Sequence, residues 1–106
     1  MDELDNLKRR LRDFSAARDW EQFHTPKNLA MALVAEAAEV VEHFQWLTAT
    51  ESQAIDPAKR VEVALELADI LLYLVMLADS LDINLADAAH RKISINEKRF
   101  PPAALR

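Results

Sequence analysis

The chain contains no glycine among its 106 residues, whereas an average chain of this length contains about seven. Glycine allows positive φ angles and lets the backbone approach a ligand closely. Phosphate-binding loops, dinucleotide-binding turns, nucleophile elbows and glycine-rich hairpins all require it. The sequence therefore excludes these motifs, and any phosphate chemistry has to rely on side chains or a metal ion.

The amino-acid composition excludes further classes of protein. The 13 basic and 18 acidic residues give a net charge of −5, which argues against non-specific nucleic-acid binding because such binding depends on phosphate neutralisation. Cysteine is absent and 51% of the residues are hydrophobic, which excludes thiolate chemistry and a disordered chain. The length predicts a single domain over residues 1–106.

Membrane and export signals are not visible either. The N-terminus is acidic and has no apolar signal region. The longest nearly apolar run, Leu67–Ala78, is too short to cross a bilayer and contains Asp69. We therefore expect a cytoplasmic protein without membrane or nucleic-acid partners.

Apolar spacing predicts an all-α fold. The first stripe, Leu4, Leu7, Leu11 and Phe14, recurs at helical steps of three and four. Pro26 and Pro57 each follow a capping residue, which marks a helix start. The predicted helices cover residues 2–17, 26–47, 57–80 and 85–99, with a polar connector over 48–56, an N-cap at Asn84 and a stop at the two prolines after Phe100.

The third predicted helix needs more cover than one short chain provides. Its segment Leu67–Ala78 is apolar almost all the way round, and such a helix is stable only when it is packed on every side. We therefore expect a four-helix bundle-like protomer that assembles as a homo-oligomer.

Two helices carry carboxylates at helical spacing. Glu36, Glu39 and Glu42 are three residues apart on the second helix, and Glu66 and Asp69 are three apart on the third, so each set shares a face. Asp69 is the one charged residue in its apolar segment. An unpaired carboxylate on a buried face is costly or becomes neutral.

Three interpretations of these acids remain open. They form a solvated face paired with Lys or Arg, or a structural buried network, or a shared site for a hard cation. The solvated face accounts well for Glu42 but poorly for Glu36 and Asp69. We favour the cation site, and oxygen ligands without Cys or clustered His suit Mg²⁺, with Mn²⁺ as a possible substitute.

The sequence also resembles a known family. The segments Glu36–Glu39 and Glu66–Asp69 are similar to the ExxE and ExxD signature of the MazG-like all-α nucleotide pyrophosphohydrolases. Further likeness to the dCTP pyrophosphatase branch extends over roughly Leu11–Pro101 and is carried by Arg18–His24, Pro26–Leu29, Ala32–Val34, Phe44–Trp46, Lys92, Ile95–Asn96 and Arg99–Pro101. Where the wider family often has a double Glu, this chain has Ala35, which that branch also tolerates, and this leaves the number of bound metals open.

The resemblance implies an activity and a set of site residues. It implies Mg²⁺-dependent cleavage of nucleoside triphosphates between the α and β phosphates, with dCTP or related deoxynucleotides as substrates, for house-cleaning of the nucleotide pool in a homodimer or homotetramer. The implied catalytic and metal-binding acids are Glu36, Glu39, Glu66 and Asp69. Either Glu36 or Glu39 would orient or deprotonate the attacking water.

The resemblance also suggests substrate contacts. Trp20, His24 and Trp46 would line a base pocket, since indole faces stack on bases, although Trp20 and Phe23 could instead close the core. The further candidates are Lys27, Asn28, Tyr73, Lys92, Asn96 and Arg99. Lys92 is the first choice to balance phosphate charge, although basic residues at this helix end also suit the helix dipole. His43 and His90 are expected at the surface.

Two other functions compete with this interpretation. The chain could be a non-catalytic helical oligomer that serves as an interaction module. It could also be a phosphoribosyl-ATP-type pyrophosphohydrolase, although the aromatic residues Trp20, Trp46 and Tyr73 favour a pocket that grips a base.

Overall fold

The computed structural model describes residues 2–103, and within that range the chain is helical and contains no strand. The helices are α1 (Glu3–Ala17), a 3₁₀ turn (Glu21–Phe23), α2 (Pro26–Phe44), α3 (Ala49–Ser52), α4 (Pro57–Ser80) and α5 (Leu85–Arg99). The all-α prediction is confirmed. None of the described helices is long and apolar enough to span a lipid bilayer.

The predicted helix starts follow from their caps. Thr25, Asp56 and Asn84 each accept a hydrogen bond from a backbone N–H three residues ahead, which satisfies a donor that the first helical turn leaves free. Pro26 and Pro57 occupy the first position of α2 and α4, where a missing N–H has no cost.

The second helix is shorter than predicted. α2 ends at Phe44 and not near Leu47. The reason is Thr48, which has the extended conformation of an N-cap and forms a capping box with Glu51 at the start of α3. The chain has to leave the α2 helix before Thr48 can adopt that conformation. The short helix α3 therefore lies inside the segment predicted to be a polar connector.

α4 is the central element. It makes its largest contact with α2 and a smaller one with α1, and the buried apolar residues are Leu29, Val63, Val75 and Ala78. Arg12 on α1 forms a bidentate ion pair with Asp79 on α4, with Nε–Oδ2 and Nη2–Oδ1 distances of 2.8 and 2.5 Å. This hydrogen-bonded pairing holds the pKa of Asp79 below its ordinary value.

Much apolar surface stays uncovered. The chain exposes 8493 Å², whereas a folded monomer of this mass exposes roughly 6000 Å². Its radius of gyration is 17.2 Å, against about 13 Å for a compact chain of this length. Leu65 and Leu67 on α4 are 65% and 53% exposed. One chain therefore does not cover every side of α4, as expected from the sequence.

Aspartate replaces glycine where the backbone must turn. Asp82 follows α4 with a φ of 54°, and Asp19 follows α1 with a φ of 55°. At the end of α4 the N–H of Ile83 donates to the carbonyl of Ala78 at 2.8 Å, which is the main hydrogen bond of a Schellman motif. The residue at this left-handed position is glycine in most proteins, because other residues meet a steric cost there.

Substitution of Asp82 should therefore change stability in a predictable direction. We expect Asp82→Gly to raise the melting temperature by about 2–6 °C, since removal of the steric cost gains ~0.5–1 kcal/mol. Asp82→Val should lower it, because a β-branched side chain is still less compatible with positive φ. Thermal unfolding followed by circular dichroism measures both changes, and equal melting temperatures for the two variants would contradict the prediction.

Candidate active site

The contact between α2 and α4 brings the four predicted acids together. Glu36 and Glu39 lie on α2, and Glu66 and Asp69 lie on α4. The carboxyl group of Glu36 is within electrostatic reach of all three others. The two carboxylate pairs therefore face one another across one helix interface, and within residues 2–103 no ion pair joins Glu36 to a basic side chain.

Glu36 has the least favourable environment for a negative charge in this group. Its Oε2 is buried and has no hydrogen-bond partner. Burial raises the pKa of Glu36 above its ordinary value of 4.5, and the nearby carboxyl of Glu39 raises it further, followed by Asp69 and Glu66. A carboxyl in this position releases its proton less readily than one in water, and a bound cation would reverse that effect.

Asp69 does not lie on a buried face in this chain. Both Asp69 and Glu39 are exposed, whereas Glu36 and Glu66 are half-buried. Its neighbours Leu67 and Leu71 are uncovered as well, so burial of Asp69 would require a second copy of the chain and stays a prediction. The acids thus extend from the α2–α4 interface to the open surface.

The carboxylate oxygens of this group are suitable ligands for a hard cation, although the side chains do not converge on one point. Within residues 2–103 no three His, Asp or Glu side chains are arranged to hold a metal ion together. The same range contains two buried side-chain polar atoms without a hydrogen-bond partner, and both are carboxylate oxygens of this group, Glu36 Oε2 and Glu66 Oε2. Carboxylate oxygens are ligands that Mg²⁺ prefers, and buried unpartnered ones need an explanation such as a missing ion.

His43 was missed as a member of this region. Its side chain is only 14% exposed and its Nε2 lies 2.7 Å from Oε2 of Glu66, so its assignment to the surface was wrong. The contact is close but is not aligned as a hydrogen bond, so Glu66 Oε2 also remains without a partner. A sequence signal existed, because His43 follows Glu36 by seven residues, which is two helical turns on one face.

The predicted base-contacting residues lie on the connectors and on α4. Trp20 is 44% exposed and packs edge-on against Phe14 and His24, at ring distances of 5.5 and 6.4 Å. Phe23 is 60% exposed, so it does not close the core. Trp46 is 86% exposed in the turn after α2, outside the helix where it was predicted.

His24 is the residue of this set with a defined polar contact and a cavity. Its Nδ1 lies 3.4 Å from the hydroxyl of the buried Ser15. A cavity of about 390 Å³ between α1 and α4 is lined by Ser15, His24, Leu29 and Val75, among others, and this volume is typical of small-molecule sites. None of the four acids lines this cavity.

The remaining predicted contacts are spread along the helices. Asn28 donates to the carbonyl of Phe23 at 3.0 Å, which fixes the entry into α2, and Lys27 beside it is exposed. Tyr73 is half-buried one turn beyond Asp69. Within residues 2–103 no hydrogen bond or ion pair connects the four acids to Lys92, Asn96 and Arg99 on α5.

Comparison with known proteins shows the family of the chain. The sequence model of the MazG-like family matches residues 31–103, a range that contains all four acids. The chain is 44% identical over 100 residues to the dCTP pyrophosphatase 1 proteins of Homo sapiens and Mus musculus. A solved pyrophosphatase from Archaeoglobus fulgidus superposes with a TM-score of 0.89 at 38% identity and covers 96% of this chain and 95% of its own.

The chain therefore belongs to the MazG-like family. The matches to the human and mouse proteins cover 92% of this chain but 59% of each relative. The chain thus spans about three fifths of the length of these curated relatives.

The unfavourable environment of the Glu36 carboxylate predicts that removal of its charge stabilises the folded chain. A carboxyl whose pKa is raised on folding destabilises the folded state once it is ionised. We therefore expect Glu36→Gln to raise the melting temperature at pH 7.5 in EDTA by a few degrees. The matched control, Glu42→Gln, changes an exposed residue of the same helix and should have little effect. A lower melting temperature for Glu36→Gln would show that its carboxylate stabilises the metal-free fold.

Proposed function

We propose that the chain is a Mg²⁺-dependent nucleoside triphosphate pyrophosphohydrolase. It would cleave between the α and β phosphates and release the nucleoside monophosphate and pyrophosphate. The observation that carries this proposal is the group of four carboxylates on the α2–α4 interface, with two buried oxygens that lack partners. The name of the relatives that are 44% identical, dCTP pyrophosphatase 1, supports dCTP or a related deoxynucleotide as substrate.

The acids would hold the metal. In this proposal Glu36, Glu39, Glu66 and Asp69 are the ligands, and a bound Mg²⁺ would offset the phosphate charge and lower the pKa of a bound water. Glu36 or Glu39 would orient the attacking water or accept its proton. The carboxylates of α2 and α4 act as a unit because a single helix interface sets their separation.

Aromatic side chains would bind the base. The exposed indoles of Trp20 and Trp46 present faces on which a base can stack. His24, which is held from one side by Ser15, would have its other nitrogen free to meet a base edge. Tyr73 lies one helical turn from Asp69 and would contact the sugar or the base.

Basic side chains would balance the triphosphate charge. A chain without glycine cannot form a backbone phosphate loop, so the β and γ phosphates need side-chain cations. Lys92 and Asn96 lie one turn apart on α5, followed by Arg99, and Lys27 and Asn28 occupy the first turn of α2. Because α5 makes little contact with the other helices of this chain, we propose that it completes a site together with a second copy.

Self-association would also cover the apolar surface. α2 exposes Met31, Val34 and Val41 along one stripe, and α4 exposes Val61 and Leu65. A water-exposed surface of this kind on a single chain is typical of oligomer interfaces. A homodimer or homotetramer would therefore account for both the excess surface and the separation of α5 from the acids.

Hydrolysis products test the proposed reaction directly. The purified chain is incubated with Mg²⁺ and each common nucleoside triphosphate, and the products are separated by ion-exchange chromatography. We expect monophosphate and pyrophosphate, lost on addition of EDTA, with dCTP among the best substrates. Diphosphate with orthophosphate would contradict α–β cleavage.

Two substitutions test whether Asp69 is a metal ligand. Asp69→Asn should reduce turnover by a hundredfold or more while circular dichroism shows the same helix content. Asp13→Asn, an exposed position on α1, should keep wild-type turnover. Wild-type turnover in Asp69→Asn would exclude Asp69 from the site, and absence of turnover with every nucleotide would favour the interaction module.

Sedimentation velocity tests self-association. We expect a mass at least twice the 12.1 kDa of the chain. Leu65→Glu should shift the protein towards the monomer, because a charge in a buried apolar interface is costly. Arg9→Glu on the exposed face of α1 should leave the assembly intact. A wild-type monomer at micromolar concentration would contradict the proposal.

A further inference from the structure

His43 lies between the acids of the candidate site and a lysine. Its Nε2 is 2.7 Å from Oε2 of Glu66, and its Nδ1 is 3.2 Å from Nζ of Lys59. Glu62 is farther away, with Oε2 at 4.0 Å from Nδ1, and its side chain is 63% exposed. The imidazole is thus held on both sides, in a position that is mostly shielded from solvent.

These contacts define the tautomer of the imidazole. The ammonium group of Lys59 has donors and no acceptor, so the nitrogen that faces it, Nδ1, has to accept. The hydrogen of a neutral ring therefore resides on Nε2, which faces the Glu66 carboxylate. Lys59 thus sets the direction in which His43 can donate.

Helix geometry explains why the three residues meet. Lys59 and Glu66 are seven residues apart on α4 and share one face. His43 projects from α2 two turns after Glu36. The same packing of α2 on α4 therefore sets both the spacing of the acids and the position of the imidazole.

We propose that His43 is a positioning residue for Glu66, with Lys59 fixing its tautomer. This proposal rests on the proposed function, in which Glu66 is a metal ligand. Nε2 lies against one carboxylate oxygen at 2.7 Å and limits where that oxygen can move, and because the contact is not aligned as a hydrogen bond, a lone pair of Oε2 stays available to a cation. Partners of this kind orient metal ligands, and their removal typically weakens metal affinity 10–100-fold.

Metal affinity provides the first readout. Mn²⁺ binding is titrated by electron paramagnetic resonance, without nucleotide, in the wild type and in His43→Leu, His43→Gln and His90→Leu. His43→Leu should weaken Mn²⁺ binding at least about tenfold. His43→Gln, whose side-chain amide can donate in place of Nε2–H, should recover most of that loss. His90→Leu, an exposed control on α5, should bind as the wild type does.

The tautomer provides a second readout that does not depend on metal or activity. Long-range ¹H–¹⁵N spectra of the metal-free protein should show His43 with a protonated Nε2 and an unprotonated Nδ1. Lys59→Met should alter this pattern, because Nδ1 then loses its donor. An unchanged pattern in Lys59→Met would overturn the assignment of the tautomer to Lys59.

The outcomes separate this proposal from the proposed function. Equal Mn²⁺ affinity in the wild type and His43→Leu would overturn the role of His43 and leave the metal site intact. Equal weakening in His43→Leu and His43→Gln, or a hydrogen on Nδ1 in the wild type, would also overturn it. Absence of Mn²⁺ binding by the wild type would overturn both proposals.

Discussion

The packing of α2 on α4 forces negative charges together, and the rest of the chain accommodates that repulsion. Among the described residues Glu36 has no basic partner, and its pKa is raised by burial and by the acids around it. Like charges held close together oppose the folded state unless other contacts offset them. Apolar burial around Val63 and Val75 favours the folded state against this repulsion, and the bidentate Arg12–Asp79 pair joins α1 to the far end of α4.

This arrangement explains why the core of one chain is small. Side chains on the α2–α4 interface that could have been apolar are carboxylates, so the interface contributes less hydrophobic burial than its length allows. Apolar residues such as Leu65 and Val34 stay on the outside. The acids lower the stability of the protomer. A second copy that covers these outer apolar faces would restore that stability, and this links the proposed metal site to the proposed assembly.

Local signals in the sequence were sufficient to predict the helices. Thr25, Asp56 and Asn84 cap the helices where expected, since an N-cap depends only on residues three positions away. The α3 capping box of Thr48 and Glu51 was equally local but was overlooked. The spacing of the acids likewise predicted which carboxylates share a face, because helical periodicity alone determines it.

Features that depend on contacts between helices could not be predicted in the same way. The role proposed for His43 depends on Lys59 and Glu66 of another helix; the spacing from Glu36 indicates the face of α2 on which His43 lies but not this pairing. The exposure of Asp69 depends on which surfaces one chain leaves uncovered, which periodicity does not determine. The spacing of residues shows on which face of a helix each one lies. Whether that face is buried depends on what packs against it.

The absence of glycine connects these observations. If the proposed function holds, a triphosphate would be recognised without flexible phosphate loops, by side chains on helices and on the two connectors that carry Trp20 and Trp46. Even the helix ends use Asp19 and Asp82 at positive φ where glycine is usual. All four candidate acids lie on helices, so their relative placement is set by how those helices pack. In the proposed site, a neighbour that restrains one carboxylate, as we propose for His43 and Glu66, would have more influence on metal geometry than it would beside a flexible loop.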